Sequence, residues 1–142
     1  MGNCCCSDRH PNKSANLKQL GSQMDKVIFI LGTTGVGKSK LAMDLAKRLD
    51  GEIINADSMQ IYSGNLEGAM TARPTRKDLE EVNHHLYGCI EMQEEGSVTF
   101  NVNKYRDMAI EAIQDVLSRG KYPIVCGGTT YYIESLLFED QA

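Results

Sequence analysis

The sequence predicts an α/β fold in which parallel strands form a sheet with flanking helices. Short β-branched runs alternate with amphipathic segments, which is the pattern of βαβ units with right-handed crossovers. A glycine-rich loop at Gly32–Ser39 stands between the first strand and the first helix. The composition, 42% apolar and 24% charged over 142 residues, is that of a globular protein and excludes a disordered or fibrous chain.

Three strands are predicted, at Lys26–Leu31, Glu52–Ala56 and Tyr122–Cys126. Each is a short apolar run bounded by turn residues, which is typical of parallel strands buried on both faces. Such a sheet needs helices on both sides, and the helices visible in the sequence cover it thinly. We therefore expect a domain truncated at its C-terminus, with residues 25–142 as the N-terminal part of a larger α/β protein.

Four helices accompany these strands. Lys38–Leu49 carries apolar residues at helical spacing and basic residues in its last turn, where cations favour the helix dipole. The predicted apolar stripe of this helix consists of Leu41, Ala42, Leu45, Ala46 and Leu49. Gly51 is predicted to end the helix. A short helix with a capping box is predicted from Thr75–Asp78 onwards, and a longer amphipathic helix at Asn103–Arg119. Tyr131–Phe138 is expected to open a further helix.

Residues 1–24 lack hydrophobic periodicity, and two interpretations of them stay open. One is a disordered polar leader without a secretory signal. The other is a lipid anchor, because removal of Met1 would expose Gly2 for myristoylation beside Cys4, Cys5 and Cys6 as palmitoylation sites. Two lipids would hold a chain at a membrane where one would not. No run of 18 apolar residues predicts a transmembrane helix.

The glycine-rich loop matches the phosphate-binding pattern G-x-x-x-x-G-K-[ST] and has the required strand before it and helix after it. Its backbone N–H groups and the helix dipole would bind an anion. The predicted diphosphate-binding residues are Gly32, Thr33, Thr34, Gly35, Val36, Gly37, Lys38 and Ser39. Lys38 would meet the terminal phosphate oxygens, and the Ser39 hydroxyl would coordinate Mg²⁺. The fold is therefore predicted to be a P-loop NTPase-like parallel sheet.

The loop does not name the reaction, but other residues narrow it. Asn103–Tyr105 is followed by Arg106 where the guanine signature of GTPases needs an aspartate. Asp57 follows the second strand, so it emerges at the carboxyl edge of the sheet, beside the loop. There a carboxylate could accept a proton from a nucleophile, although a turn or N-cap role is the alternative. These features favour a small kinase or transferase.

Several segments together resemble the tRNA dimethylallyltransferase family, also called tRNA isopentenyltransferase, in its eukaryotic form. They occur in the family's order and are the loop, Asn55–Tyr62, Thr71–Thr75, His84–Leu86, Phe100–Arg106 and Gly127–Leu136. The resemblance covers about residues 26–139, and Leu66–Met70 departs from the family pattern. Members of the family are about twice this length or more, and their later part supplies further strands and most of the tRNA-binding surface.

This resemblance implies transfer of a dimethylallyl group from dimethylallyl diphosphate to N6 of an adenosine next to the anticodon of tRNA. Asp57 would be the general base and Thr129 an active-site threonine near the diphosphate. Asp57, Ser58 and Gln60 would contact the tRNA substrate. Mg²⁺, held by Ser39, would help to stabilise the leaving diphosphate.

A few further residues carry weaker expectations. His84–His85 are expected at the surface or in a turn, with a substrate-side role as the alternative that the resemblance raises. One of Tyr131 and Tyr132 should pack in the fold while the other points towards the cleft. Arg73 and Arg76 are expected on a solvated surface, with RNA phosphates as their alternative partners.

Two other functions remain open at this stage. A P-loop phosphotransferase using ATP would share the loop and Asp57, but it leaves Gly127–Tyr132 unexplained. A truncated isoform could bind diphosphate without turnover. We expect a monomer in the cytoplasm, with mitochondria, the nucleus or a lipid-tethered membrane location as alternatives. The formal charge of −4 offers no broad basic surface for RNA.

Overall fold

The computed structural model describes residues 26–33, 35–63, 73–91 and 101–138. In chain order the elements are β1 (Ile28–Leu31), α1 (Lys38–Leu49), β2 (Gly51–Asn55), β3 (Tyr62–Ser63), α2 (Arg76–Glu81), β4 (His84–His85), β5 (Ile90–Glu91), α3 (Val102–Ser118), β6 (Tyr122–Gly127) and α4 (Thr130–Leu137). The three longer strands are separated by helices, as the sequence predicts for an α/β fold, whereas β3 and β5 each follow another strand directly.

The main sheet has four parallel strands in the order β1-β6-β2-β4. Leu31 pairs with Gly127, and Asn55 pairs with Cys126, so the carboxyl ends of the three longer strands meet at one edge. Because ligands bind at this edge in open α/β sheets, the register already indicates where a site should lie.

Helices cover both faces of the sheet, and each face has its own core. On one face Ile53, Ile124 and Cys126 pack with the α1 residues Ala42 and Ala46. On the other face the buried cluster joins the strands to α3 and α4, and its members include Ile54, Val125, Tyr105, Ala109, Ile110, Ile113, Ile133 and Leu136. Alternate strand residues therefore face opposite cores, and burial on both faces explains why these strands are continuous apolar runs.

The three predicted strands and four predicted helices are all present, with ends that differ by no more than a few residues. The α2 capping box is also confirmed, because the Thr75 side chain accepts from the Asp78 N–H while the Asp78 carboxylate accepts from the Thr75 N–H. These features were predictable because helices of this kind carry their own capping and periodicity signals.

The three predicted strands are not the full set, because in the described residues of the polar middle of the chain there are three more. β4 adds a fourth strand to the main sheet, and β3 pairs with β5 in a separate parallel sheet of two strands. Each of the added strands is two residues long. Two residues show no alternation, and their pairing depends on distant partners, so no local pattern indicates them.

The first helix also corrects two details. Its buried residues are Ala42, Met43 and Ala46, whereas Leu41 and Leu49 are exposed. Asp50, with φ 54°, caps the helix in the left-handed conformation, and Gly51 already belongs to β2. A Cβ on Gly51 would lie 2.7 Å from the Tyr122 carbonyl oxygen, so this glycine permits close strand packing instead of stopping the helix.

Some predictions fall outside the described residues. These are the leader over 1–24 with Gly2 and Cys4, Cys5 and Cys6, the loop residue Thr34, and the divergent stretch Leu66–Met70. Within the described residues, no helix is long and apolar enough to cross a membrane.

Candidate active site

The phosphate loop lies between β1 and α1, at the carboxyl edge of the sheet. Gly35 and Gly37 have φ values of 85° and 89°, in the left-handed region that favours glycine, so the loop can turn its backbone inward. Gly37 is the N-cap of α1 and has no side chain to satisfy the first N–H groups of that helix. These groups and the helix dipole together form an anion-binding surface.

Lys38 is the cation of this loop. Its Nζ lies 2.5 Å from the Thr33 carbonyl oxygen and donates a hydrogen bond to it, so the side chain folds back across the loop. The ammonium group is therefore held against the backbone of the loop. Ser39 is exposed in the first turn of α1, where its hydroxyl can reach a ligand of the loop.

The segment after β6 lies against the phosphate loop. A Cβ on Gly128 would lie 3.3 Å from the Gly32 carbonyl oxygen and 4.0 Å from Lys38 Nζ. Gly127 is packed against Ala56 even more closely, since a Cβ there would lie 2.2 Å from the Ala56 carbonyl carbon. The segment that carries Thr129 is therefore held between the phosphate loop and the end of β2.

Asp57 and Ser58 form a turn that is hydrogen-bonded to Thr129. The Ser58 N–H donates to Thr129 Oγ1 at 2.9 Å, and the Thr129 hydroxyl lies 3.3 Å from Ser58 Oγ. The Thr129 N–H donates to the Ala56 carbonyl oxygen at 3.1 Å. Asp57 Oδ1 accepts from the Met59 N–H at 2.9 Å. One carboxylate oxygen thus closes the turn, while Oδ2 has no hydrogen-bond partner among the described residues.

Phosphate loop, aspartate turn and threonine therefore share one edge of the sheet. The sequence model of the family described as IPP transferase matches residues 60–142. The chain belongs to the IPP transferase family. It is 45% identical over 115 residues to a tRNA dimethylallyltransferase of Acetivibrio thermocellus, which covers 81% of this chain and 35% of the relative. A tRNA dimethylallyltransferase 9 of Arabidopsis thaliana is 43% identical over 121 residues, covering 85% and 25%.

Solved structures of IPP transferases have the same architecture. The tRNA isopentenylpyrophosphate transferase of Bacillus halodurans matches with a TM-score of 0.71 and 36% identity, over 82% of this chain and 36% of that one. A eukaryotic dimethylallyltransferase acting on tRNA matches with a TM-score of 0.70, and the match covers 82% of this chain and 28% of that one. The chain thus spans about a third of the length of its bacterial relatives, and the P-loop-like α/β fold predicted from the sequence is confirmed.

The predicted location of the two histidines of this IPP transferase chain is wrong. His84 and His85 are buried in β4, which corrects the expectation of surface or turn positions. His85 Nε2 is 2.8 Å from Glu52 Oε1. The Arg119 guanidinium donates to both oxygens of the same carboxylate. Glu52 as a whole residue is only 1% exposed. The histidine prediction failed because a buried carboxylate partner 33 residues away is invisible to local pattern.

Glu52 is a buried charge held by two partners. Burial acts to raise the pKa of its carboxyl, but hydrogen bonds and charge from Arg119 and His85 outweigh burial and lower that pKa. Glu52 pairs with Pro123 near the start of the strands, so this ion pair lies away from the phosphate loop. It connects the end of α3 to β2 and β4, which is a structural role.

The prediction that one tyrosine of the pair packs in the fold is confirmed, while the orientation of the other towards the cleft stays a prediction. Tyr132 is buried and stacks on Tyr105, with ring centroids 4.0 Å apart, whereas Tyr131 is exposed. Burial raises the pKa values of both stacked tyrosines, so they stay protonated at neutral pH.

The two arginines lie at the surface, as the sequence predicts. Exposed Arg73 donates to the Tyr62 carbonyl oxygen at 3.1 Å, and exposed Arg76 pairs with Glu80.

Two further groups lie at this edge, and the sequence assigned a role in the site to neither of them. Burial raises the pKa of the Cys126 thiol to about 11, while Lys38 lowers it and Asp57 raises it further. Both charged residues are therefore near this thiol, which stays protonated. Asn55 is the second group, and it is buried directly beside Asp57. A polar residue at the end of a buried strand, next to a predicted base, is the signal that could have identified it.

Proposed function

We propose that this chain carries the diphosphate site and the general base of an enzyme that transfers a dimethylallyl group to tRNA. The observation that supports the proposal most is the hydrogen-bonded contact of the Asp57–Ser58 turn with Thr129, next to Lys38 and the phosphate loop. A base and an anion site at one edge are what transfer from a diphosphate to a weak nucleophile requires. The names of the relatives point to the same reaction.

In the proposed reaction, the exocyclic N6 amine of an adenosine attacks C1 of dimethylallyl diphosphate. An N–C bond forms, the C–O bond to the diphosphate breaks, and the amine proton passes to the Asp57 carboxylate. Oδ2 of Asp57 is the oxygen that can take this proton, because Oδ1 is engaged by the Met59 N–H. The adenosine must leave its base stack to reach this edge.

The leaving diphosphate carries the charge that develops in the transition state. The loop N–H groups, the start of α1 and Lys38 would stabilise that charge. Thr129 would sit between this anion and the aspartate turn, since its hydroxyl contacts Ser58. Together these groups place the two halves of the reaction side by side, which removes much of the entropic cost of bringing them together.

Mg²⁺ fits this site as a companion of the diphosphate. Within the described residues, no group of three His, Cys, Asp or Glu side chains could hold a metal ion by itself. A magnesium ion would therefore take most of its ligands from diphosphate oxygens and water, which is its usual preference. Ser39, in the first turn of α1, would supply a hydroxyl ligand, and the bound ion would neutralise part of the diphosphate charge.

The test uses a chimaera in which residues 26–138 replace the matching part of the Bacillus halodurans transferase. Asp57→Asn should lower single-turnover transfer to unmodified tRNA by roughly 10²–10⁴-fold, because the amide cannot accept the proton. Affinity for dimethylallyl diphosphate should stay unchanged. The matched control is Asp50→Asn, an exposed aspartate paired with Lys121, and it should transfer at the parent rate.

The competing phosphotransferase predicts a different result. Calorimetry on the 142-residue chain with Mg²⁺ should show heat from dimethylallyl diphosphate and much weaker binding of ATP. Tight ATP binding with no binding of dimethylallyl diphosphate would favour a kinase. Transfer by Asp57→Asn at the parent rate would remove Asp57 from the proposed mechanism.

A further inference from the structure

We infer that Asn55 is the positioning residue that sets the direction of the Asp57 carboxylate. The inference deepens the proposed function, since it concerns the same base. Asn55 is the last residue of β2 and is 1% exposed, so its side chain lies inside the fold at the carboxyl edge. Asp57 leaves the sheet two residues later.

The side-chain amide of Asn55 binds both the backbone N–H and the backbone carbonyl of Asp57. Asn55 Oδ1 accepts from the Asp57 N–H at 2.9 Å, and Asn55 Nδ2 donates to the Asp57 carbonyl oxygen at 3.0 Å. The second Nδ2 hydrogen goes to the Leu86 carbonyl oxygen, also at 3.0 Å. The oxygen of the Asn55 amide thus has a donor, and both of its N–H groups have carbonyl acceptors. These partners fix which way round the amide lies.

Neighbouring elements hold Asn55 itself. The buried Tyr105 hydroxyl donates to the Asn55 carbonyl oxygen at 2.9 Å, and Tyr105 is stacked on Tyr132. Leu86 has φ 65°, a left-handed conformation that is strained for a leucine, and its carbonyl is one of the two that Asn55 binds. Through its side chain and its backbone carbonyl, Asn55 therefore connects β2 with the segment after β4 and with α3.

The result is a turn in which four successive N–H groups have named acceptors. The Asp57 N–H donates to Asn55, the Ser58 N–H to Thr129, the Met59 N–H to Asp57 Oδ1, and the Gln60 N–H to the Asp57 carbonyl. Within the described residues this leaves Asp57 Oδ2 as the carboxylate oxygen without a partner. Asn55 thus directs one oxygen towards the position that a substrate would occupy.

The first experiment needs no activity and uses the 142-residue chain. Amide hydrogen exchange by NMR should show the Asp57 amide exchanging at least about tenfold faster in Asn55→Ala than in the parent, because its acceptor is gone. Amides of the sheet core, such as those of Ile54 and Val125, should keep their protection. Asn83→Ala is the matched control, because Asn83 is exposed and binds Ile53 through its backbone carbonyl alone.

The second experiment measures catalysis in the chimaera. Asn55→Ala should lower kcat by about 10–10²-fold with little change in KM for dimethylallyl diphosphate, since misplacement of the base affects chemistry and leaves the anion site intact. Asn55→Asp has the same shape, but its carboxylate would face two carbonyl oxygens. Protonation restores a donor, so kcat relative to the parent should recover as the pH falls from 7.5 to 5.5. Core amide protection of Asn55→Asp, measured at both pH values, should stay constant, which distinguishes this recovery from a pH-dependent loss of the fold.

The outcomes separate the two proposals. If the parent chimaera transfers and both Asn55 variants match it in kcat, the positioning role is overturned. Unchanged exchange of the Asp57 amide in Asn55→Ala would overturn it as well. Should Asn55→Ala lose protection throughout the core, the pH recovery of Asn55→Asp decides the question. If the parent chimaera shows no transfer while Asp57 exchange is faster in the variant, the proposed function fails and the contact of Asn55 with Asp57 stands.

Discussion

In β4 the imidazole of His84 lies in the core, where Nδ1 donates to the Val82 carbonyl oxygen at 2.7 Å. Burial lowers the pKa of this histidine from its ordinary 6.5, and the charge of His85 lowers it further. Asp78 and the Val82 hydrogen bond oppose the shift without cancelling it. The ring of Tyr87 packs edge-on to the imidazole, 5.4 Å away. Burial in this core therefore favours the neutral form of His84.

Stability should therefore fall as the pH drops through the ordinary histidine range. Below about pH 6.5 the unfolded chain binds a proton that folded His84 resists, so the free energy of unfolding decreases by up to about 1.4 kcal/mol per pH unit. The decrease stops below the folded pKa. His84→Asn keeps a donor for Val82 but cannot titrate, so its urea midpoint should change less between pH 7.5 and 5.5. Equal slopes in parent and variant would contradict this assignment.

Residues differ in how far sequence can predict their roles. Lys38 was predicted from the phosphate-loop motif, and Asp57 from its position after a recognisable strand, which places it at the carboxyl edge. Thr129 became a candidate through resemblance, and the structure brings it to Ser58. Asn55 and His85 act through partners that are distant in sequence, Leu86 for the amide and Glu52 for the imidazole. Partners 31 and 33 residues away leave no local pattern.

At the scale of elements, the close approach of β2 and β6 positions the site. Ala56 donates to the Cys126 carbonyl oxygen at 2.9 Å, and the Thr129 N–H donates back to the Ala56 carbonyl oxygen. A Cβ on Gly127 would lie within 2.2–2.3 Å of the carbonyl group of Ala56. Neither strand can move aside without breaking these hydrogen bonds.

Gly127→Ala should therefore lower the free energy of unfolding by about 3 kcal/mol, at the upper end of the usual cost of overpacking. It should also weaken dimethylallyl diphosphate binding, because Gly128 and the phosphate loop would be displaced. The control is Gly120→Ala, where φ is 74° but nothing lies within 4 Å of the new Cβ. That variant should cost about 1–2 kcal/mol and keep binding intact. Urea unfolding and calorimetry measure both, and equal effects in the two variants would contradict the close contact.

Elements with strong internal signals were the predictable ones. α1 and α3 span 12 and 17 residues, enough for several turns of periodicity, and α2 carries its capping box. The four-stranded order and the separate β3–β5 sheet were not predictable, because two-residue strands are defined by the partners they meet. The local sequence is therefore enough to predict long elements, whereas short strands form only because the tertiary fold brings their partners together.

For the molecule as a whole, the described residues leave apolar surface beside the outer strand. β1 pairs with β6 on one side and with no other strand in the described part of the chain. Leu31 at the end of β1 is 50% exposed, and Leu137 and Phe138 at the end of α4 are 47% and 57% exposed. An open strand edge next to apolar side chains is a surface that further structure normally covers. The relatives, which are about three times longer, have chain available for this.

We therefore expect the 142 residues alone to transfer little or no dimethylallyl group. The formal charge of −4 gives no broad basic surface, and binding of an RNA stem depends on neutralising its phosphates. A site that further structure does not close would also admit water to a carbon that reacts as its bond to diphosphate lengthens. Phosphate loop, Asp57 and Thr129 are nevertheless assembled, so diphosphate binding should persist without transfer.

The measurement incubates the purified chain with unmodified tRNA and labelled dimethylallyl diphosphate, beside the full-length Bacillus halodurans transferase and the chimaera. Label should reach tRNA with the transferase and the chimaera, and stay at background with the 142-residue chain. The chain should still bind the diphosphate by calorimetry, which separates a missing RNA surface from a defective phosphate loop. Transfer by the chain alone at the rate of the chimaera would show that the 142 residues already contain everything the reaction needs, and that RNA recognition does not depend on further basic surface.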